Sequence, residues 1–412
     1  MSLVDHFLKK AIRRGELTVI FADGKIVKVG TPDAEARSVT IRFTDAKVPG
    51  FIAANPHLRA AEAYMDGRLV IEEGDVRDLI TLIRINGRFE EGRERAIGGT
   101  LTNLVKDMVR QASHTVNDAR RSKQNVAHHY DIGNRLYDLF LDRDRQYSCA
   151  YWTDPDGETL DQAQEDKKAH IAAKLDLRPG QRVLDIGCGW GGMALYLNRV
   201  AGVDVLGITL SEEQLKMARE RAAAAGVADR VKFELIDYRA IQGQTFDRIV
   251  SVGMFEHVGT HSYVDFFRQA KALLADDGVM LLHTIGRMGN PGRTDEFTRK
   301  YIFPGGYNPA LSEVVEASQK VRLIVSDVEV LRLHYAHTIA HWYERTVAER
   351  DAIVALYDER FYRMWTFYLA GAEGAFRYGN LVNFQIQYIK NRTALPITRD
   401  YMAEAEARYR AA

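Results

Sequence analysis

Apolar and polar positions change period along the chain, and each change marks an element. From Glu16 to Val29 they alternate singly about Asp23-Gly24, the pattern of a β-hairpin. Val39–Phe43 continues as a third short strand. Asn55–Tyr64 and Val76–Ile85 repeat at helical spacing on either side of Asp66-Gly67. Residues 1–90 are therefore expected to form a small α+β domain, and they carry no acid–base constellation or metal-ligand spacing. Residues 91–125 are charged with scattered apolar positions and predict a helical linker. Its basic residues (Arg93, Arg95, Lys106, Arg110, Arg120, Arg121 and Lys123, with Arg88 just before) read either as a solvated face or as a patch that meets lipid headgroups.

From 126 to 412 the pattern becomes that of a catalytic domain. His128-His129-Tyr130-Asp131 precedes a helix, and Gln146–Trp152 is rich in aromatics. Leu160–Leu175 predicts an amphipathic helix. Five strands then alternate with helices: Arg182–Ile186, Val203–Leu210, Val231–Ile236, Phe246–Val252 and Val279–Thr284. The helix Ser211–Ala225 opens with Ser211 and Gln214 spaced as a capping box. The last strand follows a helix at Tyr263–Leu274. Strand–helix alternation of this kind implies a parallel, doubly wound sheet. Ser326–Leu333 predicts a late strand, and His337–Asn380 a long helical region crowded with aromatics. Those aromatics read either as core or as a lid over an apolar pocket.

Composition narrows the function classes. A chain of 412 residues is too long for one ordinary domain. Lys+Arg and Asp+Glu are equal at 56 each, so no overall field favours nucleic acid, and an anionic partner must be met by a local patch. Cys149 and Cys188 are the only cysteines, which leaves no disulfide framework and no thiolate metal site and fits a reducing cytoplasm. The first residues lack the apolar core of a signal peptide, and no run of ~18 apolar residues would span a bilayer.

The chemistry gathers at Val183-Leu184-Asp185-Ile186-Gly187-Cys188-Gly189-Trp190-Gly191-Gly192. A buried strand ends here in a glycine-rich turn before a helix, the place where an α/β sheet cradles a ligand. The glycine spacing is not that of a dinucleotide loop, and the Gly-Lys-Ser/Thr of a P-loop is absent. The string resembles the first motif of S-adenosylmethionine (SAM) dependent methyltransferases, with Asp185, Gly187 and Gly189 as cofactor contacts. Thr209, Leu210 and Gln214, after the second strand, stand where many such enzymes place a ribose-binding carboxylate. Asp237 and Tyr238, after the third, are candidates for the adenine amine and ring. Tyr130, Tyr147 and Ser148 complete the candidate cofactor set. Glu256, His283 and Tyr335 all lie at strand ends on the same edge.

Five ordered motifs extend the resemblance: Tyr-Ser-Cys-Ala-Tyr-Trp from Tyr147, Leu-Asp-Ile-Gly-Cys-Gly-Trp-Gly from Leu184, Gly-Ile-Thr-Leu-Ser from Gly207, Phe-Glu-His-Val-Gly from Phe255 and Tyr-Ile-Phe-Pro-Gly-Gly from Tyr301. Together they resemble the cyclopropane-fatty-acyl-phospholipid synthases, to which the mycolic acid cyclopropane synthases are related. The resemblance covers about 126–395, and Glu62–Gly67 extends it more weakly into the first domain. It implies a class I SAM-dependent methyltransferase fold with an accessory N-terminal domain for lipid binding or dimer contacts. It also implies a cytoplasmic enzyme, homodimeric and peripheral to the inner membrane, that adds a methylene to the cis double bond of an unsaturated phospholipid acyl chain. Carried over by motif, Cys149, Glu256, His283, the backbone of Ile285 and Tyr335 would hold a bicarbonate that acts as base. A cysteine that the family often carries in its C-terminal helix is here Ala372, which removes a covalent-thiol route. A fatty-acid C-methyltransferase giving a methyl or methylene branch shares these motifs, and an inactive lipid-binding homologue is the rival from another class.

Overall fold

In a computed structural model, residues 8–92 and 133–411 are described. They divide into two compact units. One takes the residues up to 92 with 295–304 and 339–381, and the other takes 133–294, 305–338 and 382–411. Tyr130 and nearly all of the basic linker lie outside the described residues.

The first unit is built on a four-stranded sheet. Its strands are β1 (Gly15–Ile20), β2 (Ile26–Thr31), β3 (Val39–Phe43) and β4 (Leu69–Glu73), in the order β2-β1-β3-β4. β1 and β2 form the expected antiparallel hairpin, with Leu17 opposite Val29 and Val19 opposite Val27. The chain passes through helices α1 (Val48–Ala54) and α2 (Pro56–Met65) to β4 and then α3 (Val76–Ile85). Pro49 and Pro56 open α1 and α2, where a missing N–H costs nothing. Asp75 caps α3 in a reciprocal box with Asp78. Neither α1 nor β4 was evident in the residue pattern.

The second unit holds a seven-stranded sheet in the order β10-β11-β9-β8-β5-β6-β7. The strands are β5 (Arg182–Ile186), β6 (Asp204–Thr209), β7 (Val231–Leu235), β8 (Phe246–Val252), β9 (Leu274–Arg287), β10 (Ile324–Leu331) and β11 (Leu381–Ile389). From β9 to β7 the neighbours pair in parallel, as the strand–helix alternation requires. Apolar runs such as Val183–Leu184 and Val279–Leu282 are fully buried because helices cover both faces. The helices are α4 (Asn134–Phe140), α5 (Leu160–Lys174), α6 (Gly192–Ala201), α7 (Glu212–Ala224), α8 (Tyr263–Leu273) and α9 (Leu311–Lys320). The strand expected at Val279–Thr284 is longer at both ends.

The residue pattern did not announce β11 either. It pairs antiparallel with β10, Val328 opposite Ile386, and sits beside β9 inside the sheet. Val382, Phe384, Ile386 and Tyr388 enter the core with Phe246, Phe255, Phe266 and Phe267. The intervening Asn383, Gln385 and Gln387 are equally buried.

The long C-terminal helical region resolves into α10 (His334–Ala348), α11 (Arg350–Leu356) and α12 (Glu359–Arg377), before the final α13 (Asp400–Arg410). Most of α10 to α12 falls in the unit of the N-terminal sheet, where Arg77 of α3 pairs with the buried Glu373 of α12 at 2.7 Å. Phe367 of α12 packs on Tyr64 and Phe297. No helix among the described residues is long and apolar enough to cross a membrane.

Candidate active site

A cleft of about 1240 Å³, counting its open mouth, lies at the carboxyl ends of β5, β6, β7 and β8. Its lining includes ten of the eleven candidate cofactor residues: Tyr147, Ser148, Asp185, Gly187, Gly189, Thr209, Leu210, Gln214, Asp237 and Tyr238. The eleventh is Tyr130. Convergence of these residues follows from the register. Asp185 is level with Gly207 of β6 and Val250 of β8, so the loops after all three strands meet at one edge.

The glycines have separate reasons to be glycine. At Gly189, φ is +53° and a Cβ would meet nothing within 4 Å, so its surface is free to face a ligand. At Gly187, φ is +83° and a Cβ would lie 2.9 Å from Cβ of Met254, so this position is closed by the protein itself.

Oδ2 of Asp185 and Nε2 of Gln214 are buried in the cleft without a hydrogen-bond partner. Burial pushes the Asp185 carboxyl up to about 7, with Lys167 acting against the rise. Gln214 is placed by its neighbours rather than by a capping box. Ser211 does cap α7 through the Gln214 N–H, but the Gln214 side chain does not return to Ser211. Thr209 donates to Gln214 Oε1 at 2.8 Å and accepts the Ser211 N–H at 3.1 Å. This turns the amide nitrogen into the cleft. Asp237 is gripped by Arg239 through Nε at 2.8 Å and Nη2 at 2.6 Å, and burial notwithstanding, this holds its carboxyl below the ordinary carboxylate value. Tyr238 sets its ring edge against Phe266 in the core.

The residue pattern missed Lys167. Lys167 lies on α5, fully buried, and donates to Gln146 Oε1 at 2.6 Å and Ser148 Oγ at 2.8 Å. Burial brings its ammonium down to about 8 despite Asp142 and Asp144. It fixes the aromatic-rich segment against the sheet edge. Its neighbours at helical spacing hide it, because a lysine in a polar helix reads as solvated. His257 lines the cleft, and burial brings it down to about 4.

The five candidate catalytic residues lie outside the lining of this cleft. Glu256 is buried in the turn after β8, and its Oε1 accepts the Ile285 N–H at 2.6 Å. That bond commits the Ile285 backbone, expected to face an anion, to Glu256. The second oxygen, Oε2, is buried without a hydrogen-bond partner, and burial pushes the carboxyl up to about 7 against the opposing pull of the Glu256 and Ile285 N–H groups and the Thr284 hydroxyl. Cys149 is buried and its thiol donates to the Ala150 carbonyl at 3.3 Å. Thr338 of α10 accepts from Ala150 N and Trp152 Nε1, both at 3.1 Å, and His334 accepts from Trp152 N at 2.9 Å. These bonds lace the Cys149 segment to the first turn of α10, which carries Tyr335. His283 is buried on β9 among amides of β11, with Asn383 at 2.9 Å and Gln385 at 3.2 Å. Ala372 sits on α12, in the other unit.

Comparison with known proteins agrees with this architecture. Residues 117–386 match the family described as mycolic acid cyclopropane synthetase, and residues 3–88 match a domain of unknown function. The chain is 38% identical over 334 residues to the cyclopropane-fatty-acyl-phospholipid synthase of Escherichia coli K12, covering 80% of this chain and 82% of that one. It is 37% identical over 374 residues to a probable fatty acid methyltransferase of Pseudomonas putida, covering 88% and 91%. Among solved structures, the mycolic acid cyclopropane synthase CmaA1 complexed with SAH and CTAB superposes with a TM-score of 0.61 at 35% identity, over 65% of this chain and 97% of that one. The seven-stranded unit thus has the class I SAM-dependent methyltransferase fold, and the chain belongs to the mycolic acid cyclopropane synthetase family.

Proposed function

We propose that this protein is a cyclopropane-fatty-acyl-phospholipid synthase, using SAM to add a methylene across the cis double bond of an unsaturated phospholipid acyl chain. The single observation that carries the reading is Glu256. A buried carboxyl whose second oxygen lacks a partner, beside the methyltransferase cleft, fits a site that handles a proton after methyl transfer.

The cleft fits SAM. Gly189 leaves open space at the glycine loop, Gln214 Nε2 is free to donate to a ribose hydroxyl, and Asp185 Oδ2 is free to accept from an ammonium group. Tyr147, Ser148, Gly187, Thr209, Leu210, Asp237 and Tyr238 would complete the contact surface. SAM, when bound, would supply an electrophilic methyl. An alkene is a weak nucleophile, so the surrounding side chains must exclude water and hold the double bond in line. The proton lost from the new methyl must be received before the ring closes. Bicarbonate, when bound, would supply that base. Glu256 Oε2 would accept its hydroxyl hydrogen, and Cys149, His283 and Tyr335 would donate to it or bound its pocket. Access to lipid from a membrane surface, and a homodimer, belong to the same reading.

A second reading keeps the same site but ends in a methyl or methylene branch. The Pseudomonas putida relative, a probable fatty acid methyltransferase, favours it. Expression in a host without this activity, followed by analysis of its phospholipid fatty acids, tests both. A mass gain of one CH2 with upfield ring-methylene proton signals supports the synthase. The same gain with branch-methyl or exomethylene signals supports the second reading. No gain refutes both.

A further inference from the structure

Two side-chain amides face the two ring nitrogens of His283, and the arrangement over-determines its proton. Gln385 Nε2 lies 3.2 Å from Nδ1, and Asn383 Nδ2 lies 2.9 Å from Nε2. Both amides come from β11, two residues apart and so on one face of the strand. A neutral imidazole has one N–H and one in-plane lone pair, so it cannot accept from both amides. One of them must turn over.

Lys174 decides which. Its ammonium can only donate, and it donates to Gln385 Oε1 at 2.7 Å. That oxygen is thereby committed, and Gln385 must show its N–H to His283. Lys174 is itself held in place by Glu329, which also accepts from His170 Nε2 at 2.7 Å, while His170 Nδ1 meets Glu406 at 2.8 Å. The centre of the network is buried, whereas Glu329 at its margin keeps 26% of its side chain exposed. His283, Lys174 and Gln385 are all under 2% exposed, so no water competes for these bonds. Burial first, then the cations Lys167 and Lys174, hold His283 well below the ordinary imidazole value, against the opposing pull of Glu329. The ring is therefore neutral, and its tautomer is the open question.

We propose that Lys174 and Gln385 are positioning residues that fix the proton of His283 on Nε2. Nδ1 is the acceptor of the Gln385 N–H, and Asn383 presents its oxygen to the Nε2 proton unless a ligand takes it. His283 then acts in the reaction proposed above as a hydrogen-bond donor through Nε2, not as the base. This last step rests on the reading that His283 belongs to the reaction site.

The tautomer can be read without turnover, by nitrogen NMR of protein labelled with 15N-histidine. The His283 signals are those lost in His283→Gln. The expected spectrum at neutral pH shows an unprotonated Nδ1 and a protonated Nε2. Gln385→Glu, whose carboxylate can only accept, should move the proton to Nδ1 and lower kcat by about 100-fold with SAM affinity unchanged. Lys174→Met should free the Gln385 amide to rotate and give both tautomers. A wild-type ring protonated on Nδ1 or doubly protonated overturns the proposal, even if neither variant folds. An unchanged tautomer in Gln385→Glu overturns it too. If the spectra are as expected but the wild type makes neither ring nor branch, the tautomer clamp stands and the proposed function falls.

Discussion

Replacing Glu256 by Gln should change how stability depends on pH, and the size of the change follows from the burial of one carboxyl. Its carboxyl stands at about 7 instead of the ordinary 4.5, chiefly because burial penalises the charged form. At ~1.4 kcal/mol per pH unit, ionising it in the folded protein costs ~3 kcal/mol more than in the unfolded chain. The folded-state value is the higher one. The folded protein therefore holds its proton more tightly, and this contribution is fully present below about pH 4.5 and lost as pH rises to about 7. Glutamine cannot ionise. It can keep the acceptor for the Ile285 N–H, while its NH2 replaces Oε2 and meets no partner, a constant cost of ~1–3 kcal/mol. Urea unfolding of both proteins from pH 5 to 9 separates the constant cost from the pH-dependent gain. The variant should begin below the wild type and gain on it by ~2–3 kcal/mol as pH passes through 7, with no further change above about pH 8. Turnover should fall by about 100- to 10,000-fold while SAM affinity is nearly unchanged, because Glu256 does not line the cleft proposed to hold SAM. Parallel stability curves would mean that Glu256 titrates as a solvated carboxyl, and the argument from its buried, unpartnered oxygen would fail.

Other perturbations reach different parts of the site. Gly189→Val should abolish SAM binding in calorimetric titration, because its side chain would occupy the open space at the loop, and its positive φ should cost ~1–2 kcal/mol of stability; undiminished affinity would put the cofactor elsewhere. Lys167 stands at about 8 rather than 10.5. Its folded-state value is depressed, so wild-type stability should rise by ~3 kcal/mol between about pH 8 and 10.5, while Lys167→Met lacks the rise; identical slopes in chemical unfolding would refute it. The variant should also bind SAM more weakly, by about 10-fold, through loss of its bonds to Gln146 and Ser148. Wild-type turnover should slow in carbonate-depleted buffer and recover on adding bicarbonate, and full activity of Glu256→Gln under depletion would make another group the base.

Local patterning was sufficient for most of the fold. β5 and β8 coincide with apolar runs bounded by turn residues, and the β1–β2 hairpin turns where Asp23-Gly24 permits it. The convergence of the candidate cofactor residues on one cleft was legible for the same reason. Asp185, Gly187 and Gly189 sit at a strand–helix junction, and a parallel sheet forces the loops after neighbouring strands to one edge. What local pattern could not supply is the fate of polar residues whose partners lie far away in the chain. Asn383, Gln385 and Gln387 alternate with apolar residues, which reads as a solvated face, yet all three are buried because their bonds are made elsewhere. Gln385 meets a lysine 211 positions earlier, and Asn383 a histidine 100 positions earlier. Lys167 has the composition of a surface lysine and becomes internal only when the aromatic-rich segment folds over it. Burial of an amide or an ammonium costs several kcal/mol unless its bonds are made, so only the tertiary arrangement decides whether such a residue is inside or outside. The same holds for the site. Its candidate residues were proposed from their motifs, but the commitment of the Ile285 N–H to Glu256, and of His283 to β11, depends on contacts that exist only once the sheet has assembled.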